Sequence, residues 1–80
     1  MMSENYTAVD IIATIMTFLK KKHGITFENE LKKSLQKKYK EISTRELNSI
    51  LMKMETQGLV YVSGDEIGKR QIRLLEDSMN

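Results

Sequence analysis

Apolar residues recur at helical spacing in three stretches and alternate in two others. Between Ala8 and Leu19, the residues Ala8, Ile12, Ile15, Met16 and Leu19 form one stripe at 100° per residue. Ile11 and Phe18 widen that stripe to roughly half the circumference, more than the ~100° arc that a single core face needs. The pattern predicts a first helix from about Thr7 to Lys22 or His23, with Asp10 completing a capping box and Gly24 as its stop. An arc this wide implies either deep burial or packing against a second copy of the chain; in so small a domain the second is preferred, with Ile11, Ile15 and Phe18 at a homodimer interface.

A second helix is expected from Thr26 or Phe27 to Tyr39. Thr26 stands at its N-cap, Glu28 and Glu30 in the first turn where the helix dipole favours acids, and Phe27, Leu31 and Leu35 on the core side. Ile42 is placed to staple against Leu47 at the start of a third helix, whose capping box is Ser43 with Glu46. Leu47, Ile50, Leu51 and Met54 give that helix its core face, and Gly58 sits at its left-handed stop. Leu59-Val60-Tyr61-Val62 and Gln71-Ile72-Arg73-Leu74 then read as two strands, separated by a polar loop flanked by Gly64 and Gly68. Ile25 is a candidate for a very short additional strand against this hairpin. One α+β domain is expected over residues 7–75, with residues 1–6 as a flexible leader and 76–80 as a flexible tail.

Charge sharpens the picture more than composition does. The 80-residue chain is 40% hydrophobic and 30% charged, as a globular domain is, and its net charge is only +2. Yet between Lys20 and Arg45 nine basic residues face three acids, while Asp65 and Glu66 fall in the hairpin loop. Such asymmetry fits an electrostatic footprint for a polyanion; the bland alternative is a solvated lysine-rich face. With no cysteine there is no disulfide framework or thiolate metal site, and the single His23 has no acidic orienter nearby. Phosphate-loop and dinucleotide fingerprints are absent. No enzymatic activity and no cofactor are therefore expected. The uncharged run Ile11 to Leu19 is too short to span a bilayer, and Glu4 and Asp10 stand where a secretion signal would be basic. A cytoplasmic, nucleoid-associated protein without membrane contact is the expectation.

The order helix, helix, helix, hairpin, and in particular the segment GLVYVS after the third helix, resembles the winged helix-turn-helix family. GLVYVS is similar to the GLV or GLI lead-in to the wing of many small prokaryotic transcription regulators, and the resemblance runs from about Thr7 to Leu75. It implies a winged helix (three-helix bundle with helix-turn-helix, then a two-stranded β-hairpin wing) that binds double-stranded DNA and regulates transcription. The third helix then enters the major groove, with Thr44, Arg45, Asn48, Ser49 and Lys53 as base readers. Arg45 suits the guanine O6 and N7 acceptors and Asn48 the adenine edge. Backbone contacts fall to Lys37, Lys38, Lys40, Ser43, Lys69, Arg70 and Arg73, with Lys37, Lys38 and Lys40 preferred over Lys32 and Lys33. The acidic loop tip departs from a simple minor-groove wing. Two other classes fit the same residues: a winged helix serving as a protein-interaction module, with Met52, Ile11 and Phe18 on the partner surface, and a non-specific architectural DNA binder. Tyr39 and Tyr61 are read as partly buried packing residues rather than base-stacking ones.

Overall fold

Thr7 and Asp10 start the first helix as their spacing predicts: each side chain accepts a hydrogen bond from the other's backbone amide. The computed structural model describes residues 7–75, so the expected leader and tail lie outside the described residues. Helix α1 (Ala8–Lys21) is followed by strand β1 (Ile25–Phe27), helices α2 (Glu28–Gln36) and α3 (Thr44–Thr56), and strands β2 (Val60–Ser63) and β3 (Gln71–Leu74). This is a small α+β domain of three helices and a three-stranded antiparallel sheet in the order β1-β3-β2. The short strand expected around Ile25 is present and extends the hairpin. Ile25 stands opposite Arg73 and Thr26 opposite Ile72, and on the other side of β3 Tyr61 stands opposite Arg73 and Val62 opposite Ile72.

The core joins one face of each element: Ile11, Ile15 and Leu19 of α1, Leu31 and Leu35 of α2, Leu47, Leu51 and Met54 of α3, Val60 and Ile72 of the sheet, and Tyr39 and Ile42 between helices. Here the choice of dimer-interface residues is corrected. Ile11 is 3% exposed and Ile15 0%, inside the chain's own core, and Phe18 is partly buried against it. Helix α1 touches α2, α3, β1 and β3, so its broad apolar arc is used up by neighbours on several sides within one chain.

The second helix is shorter than expected at both ends. Thr26 belongs to β1, buried, and its hydroxyl donates to the Glu30 carboxylate at 3.0 Å; the N-cap is Phe27, which makes no side-chain cap. A strand alternates its faces, so once Thr26 turns inward, Ile25 and Phe27 turn outward. Phe27 is accordingly 51% exposed rather than in the core. At the other end the helix stops at Gln36, and Tyr39 turns inward, its hydroxyl within 3.0 Å of the Thr14 hydroxyl and donating to the Asp10 carbonyl at 3.3 Å. Tyr39 is thus a packing residue, as expected, whereas Tyr61 is 53% exposed on the sheet.

The third helix begins with the Ser43–Glu46 capping box, and both Ile42 and Leu47 are buried, as the staple requires. Gly58 follows it at φ 78°, a conformation that costs glycine nothing, and passes the chain into β2 at Val60, one residue later than expected.

Candidate functional site

The exposed side of α3 carries Arg45, Ser49, Met52, Lys53 and Thr56, because Leu47, Leu51 and Met54 commit the opposite side to the core. Arg45 and Lys53 have no ion-pair partner among the described residues. That is true of most cations in the chain: of its thirteen lysines and arginines, only Lys69 and Arg70 are ion-paired among the described residues. The Lys69–Glu66 pair spans 3.7 Å between two largely solvent-exposed side chains, a geometry that contributes little. It does place Lys69 beside an acid of the loop tip rather than leaving it free.

Arg70 is a correction. Expected as a backbone-contacting cation at the loop edge, it is turned inward. Its Nε donates to Glu28 Oε1 at 2.9 Å and its Nη2 to Glu28 Oε2 at 3.0 Å, a bidentate pair whose side chains are 14% and 2% exposed. Glu28 Oε1 also accepts from the amides of Gly68 (2.8 Å) and Arg70 (3.3 Å), and the Glu28 amide donates to the Arg70 carbonyl at 2.7 Å. Glu28 is thus more than a first-turn acid for the helix dipole: it clasps the hairpin loop to the start of α2. Burial alone pushes its carboxyl up, but the Arg70 guanidinium, the two loop amides and the Arg70 charge outweigh burial and hold it below its ordinary range. The same bond raises Arg70 against its own burial, aided by the charges of Glu28 and Glu55. Gly64 makes room for this arrangement: a Cβ there would lie 3.2 Å from Arg70 Cγ and 3.3 Å from its Cα, at φ 119°.

The clasp reaches α3. Arg70 Nη2 also donates to Asn48 Oδ1 at 2.7 Å, so Asn48, expected from sequence as an open amide, is half-buried and engaged. Thr44, also half-buried, accepts from Lys32 Nζ at 2.7 Å. The α2 lysines are thereby divided between two sides of the domain. Lys32 and Lys33 line a cleft of about 280 Å³ together with Glu28, Thr44 and Gly68, next to the start of α3. Lys38 lies instead over the Tyr39 ring and lines a separate groove with Asp10 and Lys21 of α1. Lys37 and Lys40 are exposed, and Ser43 is spent on its cap, its Oγ accepting from the Glu46 amide. Arg73 is exposed on the outer face of β3, between Ile25 and Tyr61 on the neighbouring strands.

Arg45, Ser49 and Lys53 therefore share one open surface, with Thr44 and Asn48 at its edge held by Lys32 and Arg70. Sequence reasoning missed Lys32 and the Glu28–Arg70–Asn48 chain. Its only local signal was an acid at the first position of α2, which the helix dipole already explains. Among the described residues, no group of three or more His, Asp or Glu side chains is placed to hold a metal ion, and no helix is long and apolar enough to cross a membrane. Compared with models of known protein families, with curated proteins and with solved structures, the chain matches none of them.

Proposed function

We propose that this domain is a winged-helix DNA-binding protein that regulates transcription, with α3 as the major-groove helix and the loop between β2 and β3 as the wing. The observation that supports this most is the open face of α3, where Arg45, Ser49 and Lys53 are exposed and the two cations have no acidic partner among the described residues. An arginine free to fork onto guanine O6 and N7 supplies sequence discrimination. Lys32 and Lys33 beside the start of α3, with Lys37 and Lys40 further along, supply phosphate contacts without directional code. The clasp fixes the loop against the same side, so the wing approaches the duplex as a rigid extension of α3.

A salt series tests it. Fluorescence anisotropy with random-sequence duplex should show binding that weakens as salt rises, with a log–log slope near −0.9 per phosphate contacted. Arg45→Ala should then cost about 1–3 kcal/mol of discrimination between preferred and random sites, whereas Lys33→Ala should weaken all sequences alike. Absence of binding at low salt rejects the proposal. It would favour a protein-interaction module, a reading supported by the exposed Ile25, Phe27 and Tyr61 on the outer side of the sheet and by Met52 on α3. Binding without any sequence preference would identify an architectural binder.

A further inference from the structure

Asn48 does not present an ordinary amide to its surroundings. A guanidinium carries five N–H donors and no acceptor. The atom of Asn48 that lies 2.7 Å from Arg70 Nη2 must therefore be its oxygen, whatever else surrounds it. Arg70 is not free to turn away, because both Glu28 carboxylate oxygens hold it. The Asn48 NH2 group lies toward the exposed side, where among the described residues Nδ2 meets only the Met52 thioether at 3.6 Å, a weak acceptor that a better one displaces.

An unconstrained asparagine reads adenine by using both ends of its amide: the oxygen accepts from N6 and the NH2 donates to N7. Here the oxygen already takes a charge-assisted bond, and the nearby guanidinium charge disfavours the approach of another donor such as the adenine amine. The same charge attracts acceptors. Guanine offers two of them side by side, O6 and N7, which one N–H of the Asn48 amide can approach together as a shared, three-centre donor, whereas adenine sets an amine beside its N7. Resting on the proposed DNA-binding role, we infer that Asn48, locked by the Glu28–Arg70 clasp, is a donor-only reader that specifies guanine instead of adenine.

The test is site selection from a randomised duplex, followed by anisotropy on single-base variants, for the native chain, Asn48→Ala and Asn48→Asp. The position read by Asn48 is the one whose preference Asn48→Ala erases, and in the native chain it should be guanine. Replacing that guanine by 7-deazaguanine, which lacks the N7 acceptor, should weaken native binding roughly 5- to 100-fold. Asn48→Asp keeps an oxygen for Arg70, and thermal melting should show it folded. Having lost both donors, it should forsake guanine and shift toward cytosine, whose N4 amine donates. Adenine at that position, an unchanged guanine preference in Asn48→Asp, or no position sensitive to Asn48→Ala would each overturn the inference while leaving duplex binding intact. Absence of salt-sensitive duplex binding by the native chain overturns both the inference and the proposed function.

Discussion

Glu28→Ala should cost this domain about 3 kcal/mol, a large share of the roughly 4–12 kcal/mol expected for a chain of 80 residues. The size follows from what the carboxylate leaves behind. Its Oε1 accepts three hydrogen bonds, from two loop amides and Arg70 Nε, and its Oε2 accepts a fourth from Arg70 Nη2. Removing one partner of a buried pair leaves the other charge uncompensated, typically at a cost of 3–5 kcal/mol. The lower end applies because Arg70 keeps 14% of its side chain exposed and retains Asn48 Oδ1 as an acceptor. Glu28→Gln should cost less, since an amide oxygen in place of Oε1 still serves the Gly68 and Arg70 amides. Replacing both charges, Glu28→Met with Arg70→Leu, should recover part of the loss but not all of it, because those two amides remain without an acceptor. Urea unfolding monitored by circular dichroism measures the series. Equal stability of Glu28→Ala and the native chain would mean the clasp is not formed.

The same carboxylate sets an acid limit. Its pKa in the fold lies below the ordinary value of 4.5, so the folded state binds this proton less readily than the unfolded chain does. The stabilisation is then fully present above pH 4.5 and is lost as pH falls through the folded pKa. Stability of the native chain should decline on acidification below about pH 4.5, and Glu28→Gln should remove much of that slope.

What the sequence made legible was what it encodes over a few residues. Both capping boxes join partners three positions apart, and the stop at Gly58 follows from the end of a periodic stretch; the first helix ends earlier than expected, at Lys21, with His23 (φ 63°) already left-handed before Gly24. Errors arose where two periods competed for the same residues. Phe27, Leu31 and Leu35 are spaced four apart and read as one helical stripe, yet Phe27 is the last residue of β1, where pairing with Gln71 of β3 decides its side. The width of the α1 stripe is legible, but its cause is not: periodicity records how much of a helix is apolar and not whether the chain itself supplies the cover. The clasp was the least legible feature, because Glu28 and Arg70 are 42 residues apart and each has an ordinary local role. Sequence alone therefore presents Arg70 as a free cation and Asn48 as an unconstrained amide. The open face of α3 was easier, since it is what remains after Leu47, Leu51 and Met54 are assigned to the core.

Ile72→Ala should cost about 2–5 kcal/mol, and Ile72→Val about 0.5–1.5 kcal/mol. Ile72 is wholly buried at the centre of β3, the middle strand, opposite Thr26 on one side and Val62 on the other. Truncation there removes apolar area and leaves a cavity that three short strands, of three to four residues each, have little freedom to close. Alanine is also a poorer strand residue than isoleucine, which adds to the loss. The cost should be coupled to that of Glu28→Ala. Arg70 is two residues before Ile72, and the clasp and the core contact hold the same end of the hairpin, so a double-mutant cycle should depart from additivity by about 0.5 kcal/mol or more. Ile72→Val is the informative variant for function: it loosens packing without touching the clasp. Under the proposed DNA-binding role its folded molecules should keep the base preference of the native chain, whereas disrupting the clasp releases Arg70 from Asn48. If Ile72→Val altered base preference as strongly as Glu28→Gln, the orientation of Asn48 would depend on sheet packing in general rather than on the Glu28–Arg70 pair.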